Sequence, residues 1–254
     1  MGVQPVRIVI LRDRAPLVRA DPVLSTIDEG GFDQLWLFAV DTGDGLTAED
    51  CEAISRFRAR GGGLLVTRDH MDLGSSVCTL VGIGKAHYFH TTNPNPDPAK
   101  RQPDDPFTTY ISWPNFHSGA NGDFQEIEVV GPLHPVLADE RSPTGSIRLL
   151  PAHPHEGGIG APEGAGARVI ARGKSKVTRT RFNIAVAFEP GEHGGPGLAQ
   201  STFHHFADYN WDTRSGCPSF VSEPPGDGMQ RVPGALADRQ RYALNVAAWL
   251  SSRR

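Results

Sequence analysis

The 254-residue sequence predicts an α/β domain built on a mostly parallel central sheet with long loop insertions. Two observations carry this. Short apolar runs recur along the chain and end in charged or polar residues, as strands buried on both faces require. Between two of these runs lies a helical segment, and a strand–helix–strand crossover joins parallel strands with the helix laid on a sheet face. The length and a hydrophobic content of 38% give one domain, residues 1–254, ample material for a core.

The elements follow in order. Val6 to Leu11 reads as a first buried strand and Phe32 to Val40 as a second. Thr47 is a helix cap with Glu49 and Asp50 in the first turn. Cys51, Ile54 and Phe57 then recur at helical spacing, which leaves Glu52, Arg56, Arg58 and Arg60 for the water side. Gly61-Gly62-Gly63 stops that helix, and Leu64 to Thr67 is the third strand. Thr91 to Pro106, with five prolines in sixteen residues, is a long irregular loop. Gln125 to Val130 alternates as a half-buried strand does. Ile147–Leu150, Ala167–Ala171, Phe182–Phe188 and Leu198–Phe203 complete the strands. Leu236 to Leu250 is an amphipathic helix with Tyr242, Leu244, Val246 and Trp249 on its apolar side.

Composition narrows the function. A net charge of −4 with no basic run disfavours nucleic acid as a partner. The basic residues between Arg168 and Arg181 read as a solvated hairpin or strand edge. Cys51, Cys78 and Cys217 are an odd set without paired spacing, which argues for a reducing compartment and no disulfide framework. No leader-like segment or membrane-length apolar run is present in the sequence. The expectation is a cytoplasmic protein acting on a small molecule, without a membrane or nucleic-acid partner; a homo-oligomer is compatible with this.

Six of the ten histidines fall in four short polar clusters. Arg68-Asp69-His70 follows the third strand directly, and open α/β sheets bind ligands beyond the carboxyl ends of their strands. There Asp69 is suited to orient His70 or to hold a substrate hydroxyl, His70 to move protons, and Arg68 to pair with an anionic group. His153-x-His155 in an extended segment points both imidazoles to one side, as a metal clip does, with Glu156 as third ligand or general base. His204 and His205 alternate if the strand stays regular, so one of the two is the ligand or base and Asp208 orients an imidazole. Asn115 and His117, with Asn121 nearby, are candidates for a substrate-binding rim. His87, His90, His134 and His193 read as structural.

Several of these segments resemble the trehalose-utilisation (ThuA-like) family. They are the helix, triple glycine and strand from Phe57 to Thr67, His134-Pro135-Val136-Leu137, Gln200 to His205, and the terminal helix with Leu244-Asn245 and Trp249. The resemblance covers most of the chain and implies the class I glutamine-amidotransferase-like superfamily, with a flavodoxin-like three-layer sandwich and a carbohydrate-like substrate. In glutamine amidotransferases the third strand runs into a turn bearing a nucleophilic Cys. Here Arg68-Asp69-His70 stands there, and neither Cys78 nor Ser75-Ser76 has the glycine-flanked setting, which argues against acyl transfer from an elbow.

The expected function is therefore a metal-dependent enzyme of hydrolase or lyase type. His153, His155 and one of His204 or His205 would hold Zn, Fe, Ni or Cu. The alternative is a non-catalytic assembly or ligand-binding domain of the same fold, such as the trimerisation domain of some β-galactosidases.

Overall fold

A computed structural model describes residues 19–41, 45–216 and 220–252. The expected strand Val6–Leu11 and Cys217 lie outside those residues. The described chain runs β1 (Gln34–Phe38), α1 (Ala48–Ala59), β2 (Gly63–Thr67), β3 (His87–Tyr88), β4 (Phe124–Glu126), β5 (Glu128–Val129), β6 (Leu149–Pro151), β7 (Gly158–Ile159), β8 (Ala167–Lys174), β9 (Arg181–Phe188), β10 (Gly197–Gln200), α2 (Gly228–Arg231) and α3 (Ala235–Leu250).

The start of α1 is closed by a reciprocal cap. The Asp50 N–H donates to the Thr47 hydroxyl at 3.3 Å, and the Asp50 carboxylate accepts the Thr47 N–H at 2.9 Å. Cys51, Ile54 and Phe57 are buried as their spacing requires. Arg58 is not on the water side. Its guanidinium lies over the Phe188 ring and donates to the His193 carbonyl at 2.8 Å. The loop after β9 covers that face of the helix, with the Gly195 N–H on the Arg58 carbonyl at 2.7 Å.

The main sheet has six strands in the order β1-β2-β10-β9-β8-β5. β1 and β10 flank β2, both parallel to it. The remaining neighbours, β10 with β9, β9 with β8 and β8 with β5, are antiparallel. The sheet is thus mixed rather than mostly parallel, and the loop lengths explain it. Six residues separate Lys174 from Arg181 and eight separate Phe188 from Gly197, too few for the dozen or so that a parallel crossover needs. The basic stretch lies on the resulting β8–β9 hairpin, where Arg168 pairs with Glu189 and Arg181 with Glu128.

Alternation in the central strands feeds two cores. Leu64, Val66 and Ala199 pack with Ile54 and Phe57 of α1, while Leu65, Leu198 and Ala187 pack with Tyr242, Val246 and Trp249 of α3. Leu244, expected on the inner side of α3, is 62% exposed, because the buried stripe follows 242, 246 and 249. Gln125–Val130 splits at Ile127, so that β4 pairs with β6 and β5 with β8. Among the described residues no helix is long and apolar enough to cross a membrane.

Candidate metal centre

Three segments meet beyond the carboxyl ends of β2 and β10. These strands are parallel neighbours, so their exits leave the sheet side by side. The β2 exit is Arg68-Asp69-His70. β10 ends at Gln200, earlier than expected, and the chain turns through a short 3-10 helix at Phe203–His205, where the Thr202 hydroxyl accepts the His204 N–H. The Phe203 N–H joins the two exits by donating to the Arg68 carbonyl at 3.0 Å. The third segment, after β6, is tied down by the Gly157 N–H on the Ser201 carbonyl at 2.9 Å and by two bonds between Glu156 and Phe116 at 2.8 and 2.9 Å.

Asp69, His153 and His204 converge there, all buried, with one ligand atom from each lying within 4.8 Å of the others. His204 Nε2 is 3.4 Å from Asp69 Oδ2, and His153 Nε2 is 3.8 Å from Asp69 Oδ1. Charge-assisted N–H···O contacts close to about 2.7–2.9 Å, so these are poor hydrogen bonds. Two ligands held at about 2.0–2.1 Å from one tetrahedral ion stand about 3.3 Å apart, which is near what is seen. The imidazoles are oriented from behind. His153 Nδ1 is 2.9 Å from Asn121 Oδ1, and His204 Nδ1 is 2.8 Å from Asn210 Oδ1. An amide oxygen only accepts, so each Nδ1 carries the proton and each Nε2 offers a lone pair toward Asp69. Asn210 in turn donates to Asn121 Oδ1 at 2.8 Å, and the Tyr209 hydroxyl lies 2.9 Å from His204 Nδ1.

The electrostatics agree with a cation site. Burial, reinforced by the neighbouring His204, holds His153 well below the usual histidine range and therefore neutral. Burial opposes ionisation of Asp69, and its carboxyl is held well below the usual carboxylate range by positive charge on the His204 and His70 side, a charge that a shared ion would supply where the imidazole nitrogens present lone pairs. Asp69 Oδ1 is buried without a hydrogen-bond partner. A carboxylate facing two imidazole lone pairs is repulsive unless a positive charge stands between them, and the donor set of one oxygen and two nitrogens suits a divalent transition ion.

The other expected residues are placed differently. His70 flanks the group, its Nδ1 3.4 Å from Asp69 Oδ2. His155 is not with His153: a turn at Pro154-His155 replaces the expected extended backbone, and His155 Nε2 instead meets Asp105 Oδ2 at 2.6 Å. His205 faces away from His204, with its Nδ1 2.5 Å from Gln200 Nε2 and its Nε2 3.5 Å from Glu156. Glu156 is fully buried and is engaged inside the protein by the Ser118 hydroxyl at 2.5 Å, the Ser201 hydroxyl at 2.7 Å and the Gln125 amide. It positions three chain segments and does not reach the triad. Arg68 is also fully buried; its guanidinium stacks on Phe89 and donates to the Met71 carbonyl, and burial brings it down to about 9. Asn115 bonds backbone, taking the Asp104 N–H and donating to the Ile111 carbonyl, each at 2.8 Å. His117 pairs with Glu223 at 2.9 Å. Asp208 is exposed, and its carboxylate accepts the adjacent Tyr209 N–H, with no imidazole among its partners in the described residues.

Two residues that sequence reasoning missed, Asn210 and Asp105, do the orienting expected of acids nearer in sequence; Asn121 was read only as rim. A signal existed for Asn210, six residues beyond His204. None existed for Asp105, fifty residues before His155. A separate cavity of about 650 Å³ lies at the amino ends of β1 and β2, lined by Gly61, Gly62, Gly195, Asp28 and Arg60. That is the opposite end of the sheet from Asp69, and Asp28 is already paired with Arg56 at 2.8 Å. The chemistry therefore points to the strand exits. No protein-family model matches the chain, and no curated protein matches it.

Proposed function

We propose that the chain is a metal-dependent enzyme of hydrolase or lyase type, in which Asp69, His153 and His204 hold a divalent transition metal. The observation that carries this is the meeting of one buried carboxylate and two oriented imidazole nitrogens at spacings that suit a shared ion better than hydrogen bonds. Three protein ligands leave a position for water or substrate. Bound there, such an ion polarises a carbonyl or makes a metal-bound water acidic. Asp69 supplies the negative charge, Asn121 and Asn210 hold the imidazoles, and His70, at 8% the most exposed of the group, relays protons toward solvent. Zn, Fe, Ni and Cu all suit this donor set.

The ThuA-like reading, with its flavodoxin-like three-layer sandwich, is supported by α1 and α3 covering opposite faces of the central strands. A small, polar, carbohydrate-like substrate follows from that reading alone. A second reading, a metal that only braces the three strand exits in a non-catalytic domain, is favoured by the burial of all three ligands. The test is chelator-stripped protein reloaded with each metal in turn and assayed on a panel of small polyhydroxylated compounds. Turnover that returns with metal in the wild type and not in His204→Ala supports the enzyme. Stoichiometric metal without turnover on any of them favours the brace.

A further inference from the structure

The triad leaves unexplained a histidine beside it. Asp105 accepts the Phe107 and Thr108 N–H groups, each at 2.9 Å, and lies 2.6 Å from His155 Nε2. Burial opposes its ionisation, but the bonds from His155, Phe107 and Thr108 bring it down to about 2. A carboxylate has only lone pairs, so Nε2 carries a proton, and in the neutral ring the lone pair of His155 is on Nδ1. That nitrogen is buried with no partner, which folded chains rarely leave unanswered. The His155 ring stands edge-on to both His153 and His70, with centroids 5.3 Å away in each case. Asp69 Oδ1 is likewise buried and unpartnered. His155 is not itself among the residues close enough to share the ion. What the unanswered acceptors call for is a cation and, next to it, a hydrogen-bond donor.

We propose that His155, its tautomer fixed by Asp105, accepts a hydrogen bond from the ligand that completes the metal coordination, so that the site takes water or a hydroxyl group in preference to an aprotic anion. This rests on the metal reading above and adds to it the chemistry of the open position. Asp105 acts through His155 and is a positioning residue.

The test uses the full chain loaded with cobalt(II), whose visible bands report its ligands, titrated with azide. In the wild type the His155 lone pair opposes azide. His155→Phe removes that lone pair and is expected to raise azide affinity about tenfold, a change the size of one hydrogen bond to a charged group. His155→Asn, which keeps an acceptor, is expected to stay near the wild type. Asp105→Ala, which frees the ring to turn its N–H toward the metal, is expected to move in the same direction as His155→Phe and stands in for it if that variant does not fold. Cobalt affinity is expected to change less than about threefold in all of them, since none is a ligand. Azide affinity unchanged in whichever of His155→Phe and Asp105→Ala folds overturns the proposal and leaves the metal reading intact. A wild type that takes up no cobalt overturns both.

Discussion

The imidazoles of His153 and His204 stack face to face, with ring centroids 3.3 Å apart and planes 16° from parallel. Two imidazolium ions would not rest so close in a buried site, and the in-plane lone pairs of rings this nearly parallel run side by side, so the rings must splay from this stack for both to reach one ion. The stack is maintained by the Asn121–Asn210 pair behind it. Asn121→Ala and Asn210→Ala are therefore expected to weaken metal binding about 10- to 100-fold while leaving the ligands in place, the usual effect of losing an orienting partner. Calorimetric titration of each variant with zinc checks this, and wild-type affinity in both would show that the amides do not orient the rings.

Gly157 sits where the third segment crosses the two strand exits. A Cβ there would come within 2.5 Å of the Asp69 carbonyl and 2.8 Å of the Ser201 carbonyl. Both are backbone atoms, so the strain has no soft outlet. Gly157→Ala is expected to destabilise the fold by about 1–3 kcal/mol, as overpacking does, read as a lower denaturation midpoint; an unchanged midpoint contradicts the close crossing.

His134 gives a pH dependence. It is buried against Trp249, accepts the Val136 N–H at 3.2 Å, and burial brings it down to about 4. The unfolded chain takes up this proton near pH 6.5 and the folded chain only near 4. Stability is therefore fully present above pH 6.5 and declines as pH falls between those values, by up to about 3 kcal/mol. In His134→Asn, which keeps an acceptor for the Val136 N–H, denaturant unfolding is expected to lose that part of the slope between pH 7 and 4.5. Parallel slopes would show that His134 does not titrate this way.

The His117–Glu223 pair works in the opposite sense. Burial lowers His117, but Glu223 beside it outweighs that and raises it above the usual histidine value. Its contribution is present below pH 6.5 and is lost as pH rises through the raised value. Glu223 and Ser222, whose hydroxyl donates to the Phe107 carbonyl at 2.8 Å, tie residues 220–226 to Phe107 and His117, just beyond the proline-rich loop. Intrinsically corrected amide exchange in that segment is expected to quicken as pH rises, and the trend is expected to vanish in Glu223→Gln. Exchange insensitive to both places the tether elsewhere.

Local signals in the sequence were reliable where one residue's neighbours settle its place. Thr47 with Asp50, the triple glycine before β2 and the apolar runs of β8 and β9 all stand as expected. Sheet direction was misread because one crossover, β1-α1-β2, was extended to the whole; the short loops flanking β9 carried the correction. At the site, the strand exits were legible, and Asp69 and His204 lie there. His155 departs because the backbone turns at Pro154-His155 where an extended segment was expected, and Glu156 because three donors from distant segments claim it. Those long-range contacts leave no mark at short spacing. That is why Asp105 was invisible, while Asn210, only six residues beyond His204, was passed over for the nearer acid Asp208.

The most direct test of the metal centre is elemental analysis of protein purified without a histidine tag, compared with single alanine variants. The wild type is expected to carry about one divalent transition ion per chain, Asp69→Ala, His153→Ala and His204→Ala almost none, and His155→Ala and His205→Ala close to the wild-type content. Substoichiometric metal in the wild type, or content unchanged in His153→Ala and His204→Ala, contradicts it.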